Sequence, residues 1–231
     1  MQRWPSPAAL ARAPLADVLR AWQGLGYPRR AMRLHATAQA IVADWNGQVP
    51  ADESALLALP GVGHYTAAAV AAFAFGQPTV VLDTNIRRVI ARAWIGQASV
   101  PGHLTNAERE LASSLVSAKT GARWSAAVME LGAVVCTARA PKCEQCPLAA
   151  SCQWLSAGRP QNGPPIRRQP SFEGSDRQAR GALLKSVADD GSISAIQAAW
   201  PIADQRERAL ASLLADGLVA RTHDGYALPT H

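Results

Sequence analysis

A chain of 231 residues, 48% hydrophobic and 17% charged, is long enough for about one to three buried cores and too apolar to be disordered. Its net charge of +6 and pI near 9.6 favour a polyanionic partner. No apolar run approaches the length of a membrane span, and the opening residues do not read as a secretory signal.

The first 135 residues or so read as a string of helices. Ser6 and Pro7 suit the N-cap and first helical position of a short helix. Leu15–Trp22 has helical apolar spacing and stops at Gly24 and Gly26; Arg29–Trp45 is a longer amphipathic helix closed by Asn46 and Gly47. Asp52 caps a helix ending at Leu59 and Pro60, and the alanine-rich Tyr65–Phe75 stops at Gly76. Thr79–Leu82 is locally extended. Asp83 caps Ile86–Trp94, Thr105 and Glu108 form a capping box for a helix through Ser117, and Arg123–Val135 leads into the cysteines.

Residues 157–175, with Pro160, Pro164, Pro165 and Pro170 beside Arg159, Arg167 and Arg168, read as a linker. Helices over Arg177–Ala188, Ser194–Trp200 and Asp204–Leu214 follow, and "GLVARTHDGYAL" reads as a hairpin with Asp224 and Gly225 at its tip. Three helices and a hairpin suggest a small winged-helix-like module, either a stabilising cap or an extra duplex contact through Arg177, Arg180 and the Arg221–Tyr226 wing.

Four features carry chemistry. The four cysteines, Cys136, Cys143, Cys146 and Cys152, form C-x6-C-x2-C-x5-C. One tight cluster points to metal rather than disulfides, and the spacing alone leaves a [4Fe–4S] cube and a Zn²⁺ ion both open. The turn Leu59-Pro60-Gly61-Val62-Gly63-His64 is either a tight helix–helix connection or a phosphate grip made of bare amides at a helix N-terminus. Asp83 is a good helix N-cap, yet a carboxylate in a cleft also stabilises a developing sugar cation. Tyr27, in "GLGYPRR" with Arg29 and Arg30, is either a core aromatic or a wedge between stacked bases. The stretch is not a dinucleotide fingerprint, because Arg29 stands where the third glycine belongs.

In this order, "LPGVGHYTAAAVAAFAFG", "VLDTNIRRVIAR" and the cysteine run resemble the helix-hairpin-helix DNA glycosylases with an iron–sulfur loop. "AWQGLGYPRRAMRLHATA" narrows the resemblance to MutY-type adenine DNA glycosylases, over roughly residues 3 to 155. The resemblance implies a mainly α fold: a helical barrel half (1–77), an iron–sulfur half (78–158), a linker (159–175) and the winged-helix-like module (176–231), with the cleft between the halves. It implies base-excision repair in which adenine opposite 8-oxoguanine or guanine is hydrolysed from duplex DNA by a monomer, in the cytoplasm and at the nucleoid. Asp83 would stabilise the oxocarbenium ion with Asn85 beside it. Gly61, Val62, Gly63 and His64 would grip phosphate, with Tyr65 also at the DNA, and Tyr27, flanked by Arg29 and Arg30, would enter the helix next to 8-oxoguanine. The four cysteines would bind [4Fe–4S]. Tyr65 stands where endonuclease III-type lyases carry a Schiff-base lysine, so strand cleavage is not expected.

The family also carries an N-terminal helix with a glutamate, in a pattern like SE-x-M-L-Q-Q, that protonates adenine; the present sequence holds no such motif. The expectation is a start placed at an internal methionine, with exposed apolar faces on the chain. The rival expectations are a catalytically weak, DNA-binding remnant and an endonuclease III-like pyrimidine glycosylase. Residues 176 to 228 are also too short for the Nudix-like domain with which the family reads 8-oxoguanine.

Overall fold

The computed structural model describes residues 2–117, 119–164 and 171–230. They form helices α1 (Pro7–Ala11), α2 (Leu15–Ala21), α3 (Arg29–Asp44), α4 (Glu53–Ala58), α5 (His64–Phe75), α6 (Thr84–Ile90), α7 (Asn106–Leu115), α8 (Gly121–Val134), α9 (Gln153–Ser156), α10 (Asp176–Asp189), α11 (Ile193–Ala199) and α12 (Ala203–Ala215). A hairpin of β1 (Ala220–Arg221) and β2 (Tyr226–Ala227) completes them. The fold is mainly α, as the periodicity predicts. Ser6, Asp83 and Thr105 cap where the sequence marks them, and Ser175 and Ser192 are further caps. The side-chain oxygens of Ser6, Asp83, Thr105, Ser175 and Ser192 each accept an amide of the first turn, satisfying donors that a bare helix end leaves open. The expected single helix through Trp94 instead widens into a π-turn over Ala91–Ile95, closed by Gly96 at φ +75°.

The chain divides into two compact units: Met1–Pro50 with Leu59–Gly61 and Arg168–His231, and Ala51–Ala58 with Val62–Arg167. The first unit differs from the expected boundaries of 1–77 and 176–231. Leu15, Val18 and Leu19 of α2 and Ala31 of α3 share one buried core with Ala179, Leu183 and Val187 of α10, Ile196 of α11 and Leu213 of α12. Leu218, Val219 and Leu228 around the hairpin close it. A segment of about fifty residues buries little apolar surface and is marginal by itself, and α2 adds a further apolar face to its core. The wing itself is as expected, with Ala220 paired to Ala227 and Arg221 to Tyr226.

In the second unit, α6 is the central helix. Ile86, Val89 and Ile90 pack with Ala68 and Ala72 of α5, Val81, Ala112 of α7 and Val128 of α8. Alanines on the buried face of α5 let helices approach closely. Asn162 accepts the Ala98 amide at 2.9 Å, and the Ser99 hydroxyl donates to Pro164 O at 2.6 Å. The first part of the expected linker is thus fastened to this unit, whereas residues 165–170, with Pro165, Arg167, Arg168 and Pro170, lie outside the described residues.

Arg87 and Glu108 are both buried and meet twice, Nε to Oε1 at 2.9 Å and Nη2 to Oε2 at 3.0 Å. Arg87 also donates to Pro101 O and His103 O, and Glu108 closes the capping box by accepting the Thr105 amide. Burial pushes the Glu108 carboxyl up, but hydrogen bonds from Arg87 and Thr105 outweigh it and hold it below its ordinary value. A carboxyl lowered in the folded state contributes stability above its unfolded value, about pH 4.3, and that stability is lost as pH falls through the folded value. Thermal midpoints should therefore drop more steeply below about pH 5 in the parent than in Glu108→Gln, which starts lower at neutral pH. Parallel pH curves for the two would contradict this account.

Candidate active site and iron–sulfur loop

Asp83 sits where the extended Thr79–Leu82 segment turns into α6. Its backbone is extended (φ −87°, ψ 176°) and its Oδ1 accepts the Ile86 amide at 2.6 Å. The cap reading of Asp83 is therefore correct, and it leaves Oδ2 for another partner. That oxygen accepts from Asn85 Nδ2 at 2.9 Å. Asn85 is thus fixed beside the acid, and its Oδ1 accepts from Arg88 Nη2 at 2.8 Å.

Arg88 continues the chain of bonds. Its Nη2 donates to Gly132 O of α8 at 2.6 Å, and its Nε to Cys136 O at 2.7 Å. Burial lowers the guanidinium from its ordinary value, and Asp83 is among the charges that oppose the change. Gly132 is required by contact: a Cβ there would stand 2.7 Å from Asn85 Cβ and 2.8 Å from Asn85 O. Two side chains, Asn85 and Arg88, thus link the Asp83 carboxylate to the carbonyl of the first cysteine.

One turn further along, Arg92 is buried and spends its guanidinium on the cysteine loop. It donates to Thr137 O at 2.8 Å and Ala138 O at 3.1 Å, lies 3.5 Å from Cys136 Sγ, and stacks 4.5 Å above the Trp154 ring. Two short 3₁₀ turns, Cys143–Gln145 and Ala149–Ser151, coil the loop, and Cys152 begins α9. All four cysteines are free thiols and line one cavity with Arg92, Pro141 and Trp154.

This donor set suits a cluster. Burial pushes the Cys146 thiol up, and Cys136, Cys152 and Cys143 push it the same way. Four thiolates crowded around one cavity repel each other until a cationic group sits among them. Four thiolates around one cavity match the ligand number of a [4Fe–4S] cube.

The turn before α5 places Gly61 at φ +76°, a conformation that favours glycine. A Cβ there would also meet the Arg33 side chain at 2.6 Å. The Thr37 hydroxyl lies 2.6 Å from Pro60 O and steadies the turn. Gly63 occupies the N-cap of α5 with no side chain to cap it, so no cap side chain satisfies the first amides of the helix. His64 and Tyr65 follow, both exposed.

Tyr27 is no core aromatic: it is 63% exposed. Its backbone is left-handed at φ +49°. The Arg30 guanidinium lies 4.9 Å from its ring, Trp22 Nε1 donates to Gly26 O at 3.0 Å, and Arg29 Nη2 pairs with Asp216 at 3.4 Å. The structure thus brings together Asp83 with Asn85, the four cysteines, and Tyr27 with Arg30. Arg88, Arg92 and Gly132 escaped the sequence reading. The available signal was two arginines four apart on an otherwise apolar helix, the spacing of one helix face.

Residues 1–114 match the model of the HhH-GPD superfamily of base excision DNA repair proteins, and residues 136–152 match the iron-sulfur binding domain of endonuclease III. The chain is 49% identical over 236 aligned residues to an adenine DNA glycosylase of Mycobacterium tuberculosis (strain CDC 1551 / Oshkosh), covering 99% of this chain and 77% of that one. This chain belongs to the adenine DNA glycosylase family. Among solved structures, a thermostable thymine-DNA glycosylase is similar with a TM-score of 0.61 at 31% identity, over 68% of this chain and 72% of the other. A non-covalent endonuclease III–DNA complex is similar with a TM-score of 0.58 at 25% identity, over 69% and 74%.

As an adenine DNA glycosylase family member, the chain is a DNA N-glycosylase that binds DNA and carries a [4Fe–4S] cluster in its Cys136–Cys152 loop. Gly132→Ala should lower stability by about 1–3 kcal/mol, because the new methyl group meets backbone that cannot easily give way. The readouts are denaturant unfolding and iron content. An unchanged midpoint would mean that α6 and α8 are not in the contact described.

Proposed function

We propose that this glycosylase hydrolyses the N-glycosidic bond of adenine paired with 8-oxoguanine or guanine and leaves an abasic site on an intact strand. The observation that carries the reading is the Asp83 carboxylate, locked by the Ile86 amide and Asn85 at the N-terminus of α6. As the bond from C1′ to the base nitrogen breaks, positive charge develops on the sugar. A carboxylate already held in place stabilises that charge without reorganising, water then adds at C1′, and the adenine departs with its electron pair and a proton. The target base must leave the stack to be reached. Tyr27 fits a wedge that fills or opens the space, and its left-handed, exposed placement supports that role. The amides of Gly61, Val62, Gly63 and His64 would hold a backbone phosphate, with Tyr65 beside them.

The [4Fe–4S] cluster supplies iron–thiolate bonds that fix the loop's fold. Arg92 and Trp154 shield the loop, and Arg88 ties it to Asn85. The net charge of +6 suits a monomer working along duplex DNA in the cytoplasm, at the nucleoid.

Asp83→Asn should reduce single-turnover adenine release by on the order of 10²-fold or more. It should spare duplex affinity. Retained release would remove the acid from the mechanism and favour a protein that only binds DNA. Because Tyr65 has no amine, borohydride should trap no covalent adduct, and strands should break only after alkali. A trapped adduct would instead support the endonuclease III-like reading.

A further inference from the structure

Several charges of the C-terminal helices are paired with one another. The outer residues of α12 alternate in sign, Asp204 and Glu207 against Arg206 and Arg208. Arg206 donates to Trp200 O, Arg208 pairs with Asp176, and Arg180 pairs with Asp216 at 2.6 Å and bonds Ser212. These three arginines hold partners inside their own segment.

One of these groups reaches out of the segment. Asp216, the C-cap of α12, is bound on one oxygen by Arg180 and on the other faces Arg29 at 3.4 Å. Arg29 is the first residue of α3, two residues after Tyr27. Each of these charges sits at the unfavourable end of its own helix, a cation at an N-terminus and an anion at a C-terminus. They compensate each other only when α3 and α12 meet.

The surroundings agree. The turn carrying Tyr27 joins α2 to α3, and both helices bury their apolar faces in the core made with α10 and α12. Arg20 of α2 lies 3.5 Å from Ala188 O at the end of α10, and Met32 of α3 lies against Gly217. A tyrosine held exposed in the left-handed region persists only where its neighbours over-determine it. Trp22 and Arg30 act from within the turn; Asp216 acts from the C-terminal segment.

We infer that Asp216 is a positioning residue for the Tyr27 turn, so that the C-terminal segment sets how the enzyme engages the base opposite adenine. The inference rests on the reading of Tyr27 as the wedge. The test measures affinity of the full holoprotein for duplex DNA carrying 8-oxoguanine opposite 2′-fluoro-deoxyadenosine, whose fluorine disfavours the sugar cation and so blocks release. Tyr27→Ala, Asp216→Asn and the double variant are compared. Asp216→Asn should weaken binding roughly two- to fivefold, the range of a partly exposed ion pair. The single-turnover rate on the ordinary adenine duplex at saturating enzyme should stay unchanged. The double variant should bind no worse than Tyr27→Ala alone, and Asp216→Glu should restore binding.

If Tyr27→Ala binds as the parent does, the wedge reading fails and this inference with it. If Tyr27→Ala weakens binding and Asp216→Asn does not, only the inference fails. Additive losses in the double variant overturn it as well, because Asp216 then acts through something other than the Tyr27 turn. Should Asp216→Asn fold poorly, the Asp216→Glu comparison with the parent decides: a loss as large as that of Tyr27→Ala defeats the inference.

Discussion

The second unit is organised by what one arginine does at the middle of α6. Arg88 serves Asn85 and the Gly132 carbonyl from Nη2 and the Cys136 carbonyl from Nε. A planar group with a fixed fork of donors is suited to this, since its bonds form together or not at all. The carbonyls it satisfies are part-buried, where a lost hydrogen bond costs more than in open water. The position of the acid and the start of the cysteine loop are therefore set by the same side chain. Gly132 makes the arrangement possible by letting α8 come within contact of α6.

The division of labour along α6 follows from its periodicity. Ile86, Val89 and Ile90 fill the core, while Arg87, Arg88 and Arg92 leave by other faces to three different destinations: the Glu108 pair, the Asn85–Cys136 link and the cysteine loop. None of these arginines has its guanidinium free in solvent for nucleic acid. The basic character of the sequence therefore overstates the charge available to a duplex.

Much of this was legible beforehand. Caps, capping box, glycine stops and cysteine spacing are local signals, and the helices begin and end close to where Ser6, Asp83, Thr105 and Gly76 place them. Asp83 and the four cysteines stood out by residue type and spacing, while the roles expected of them came only with the family resemblance. What stayed hidden is long-range. Arg88 reads as a surface charge on an amphipathic helix until Gly132 and Cys136, more than forty residues away, are seen to accept from it. The shared core of α2 and α10 was missed for the same reason: periodicity shows that a helix has an apolar face, but not which other face covers it.

That shared core also bears on how the chain is made. Leu15 and Leu228 belong to one buried cluster, although almost the whole sequence lies between them. Contacts of such long separation carry a large loop-closure cost and form late. The second unit, drawn from the middle of the chain, builds its core from residues 68–148 and is able to close that core while synthesis continues. The first has to keep the apolar side of α2 uncovered until α10 through the hairpin have left the ribosome, an interval in which a chaperone has a defined surface to recognise.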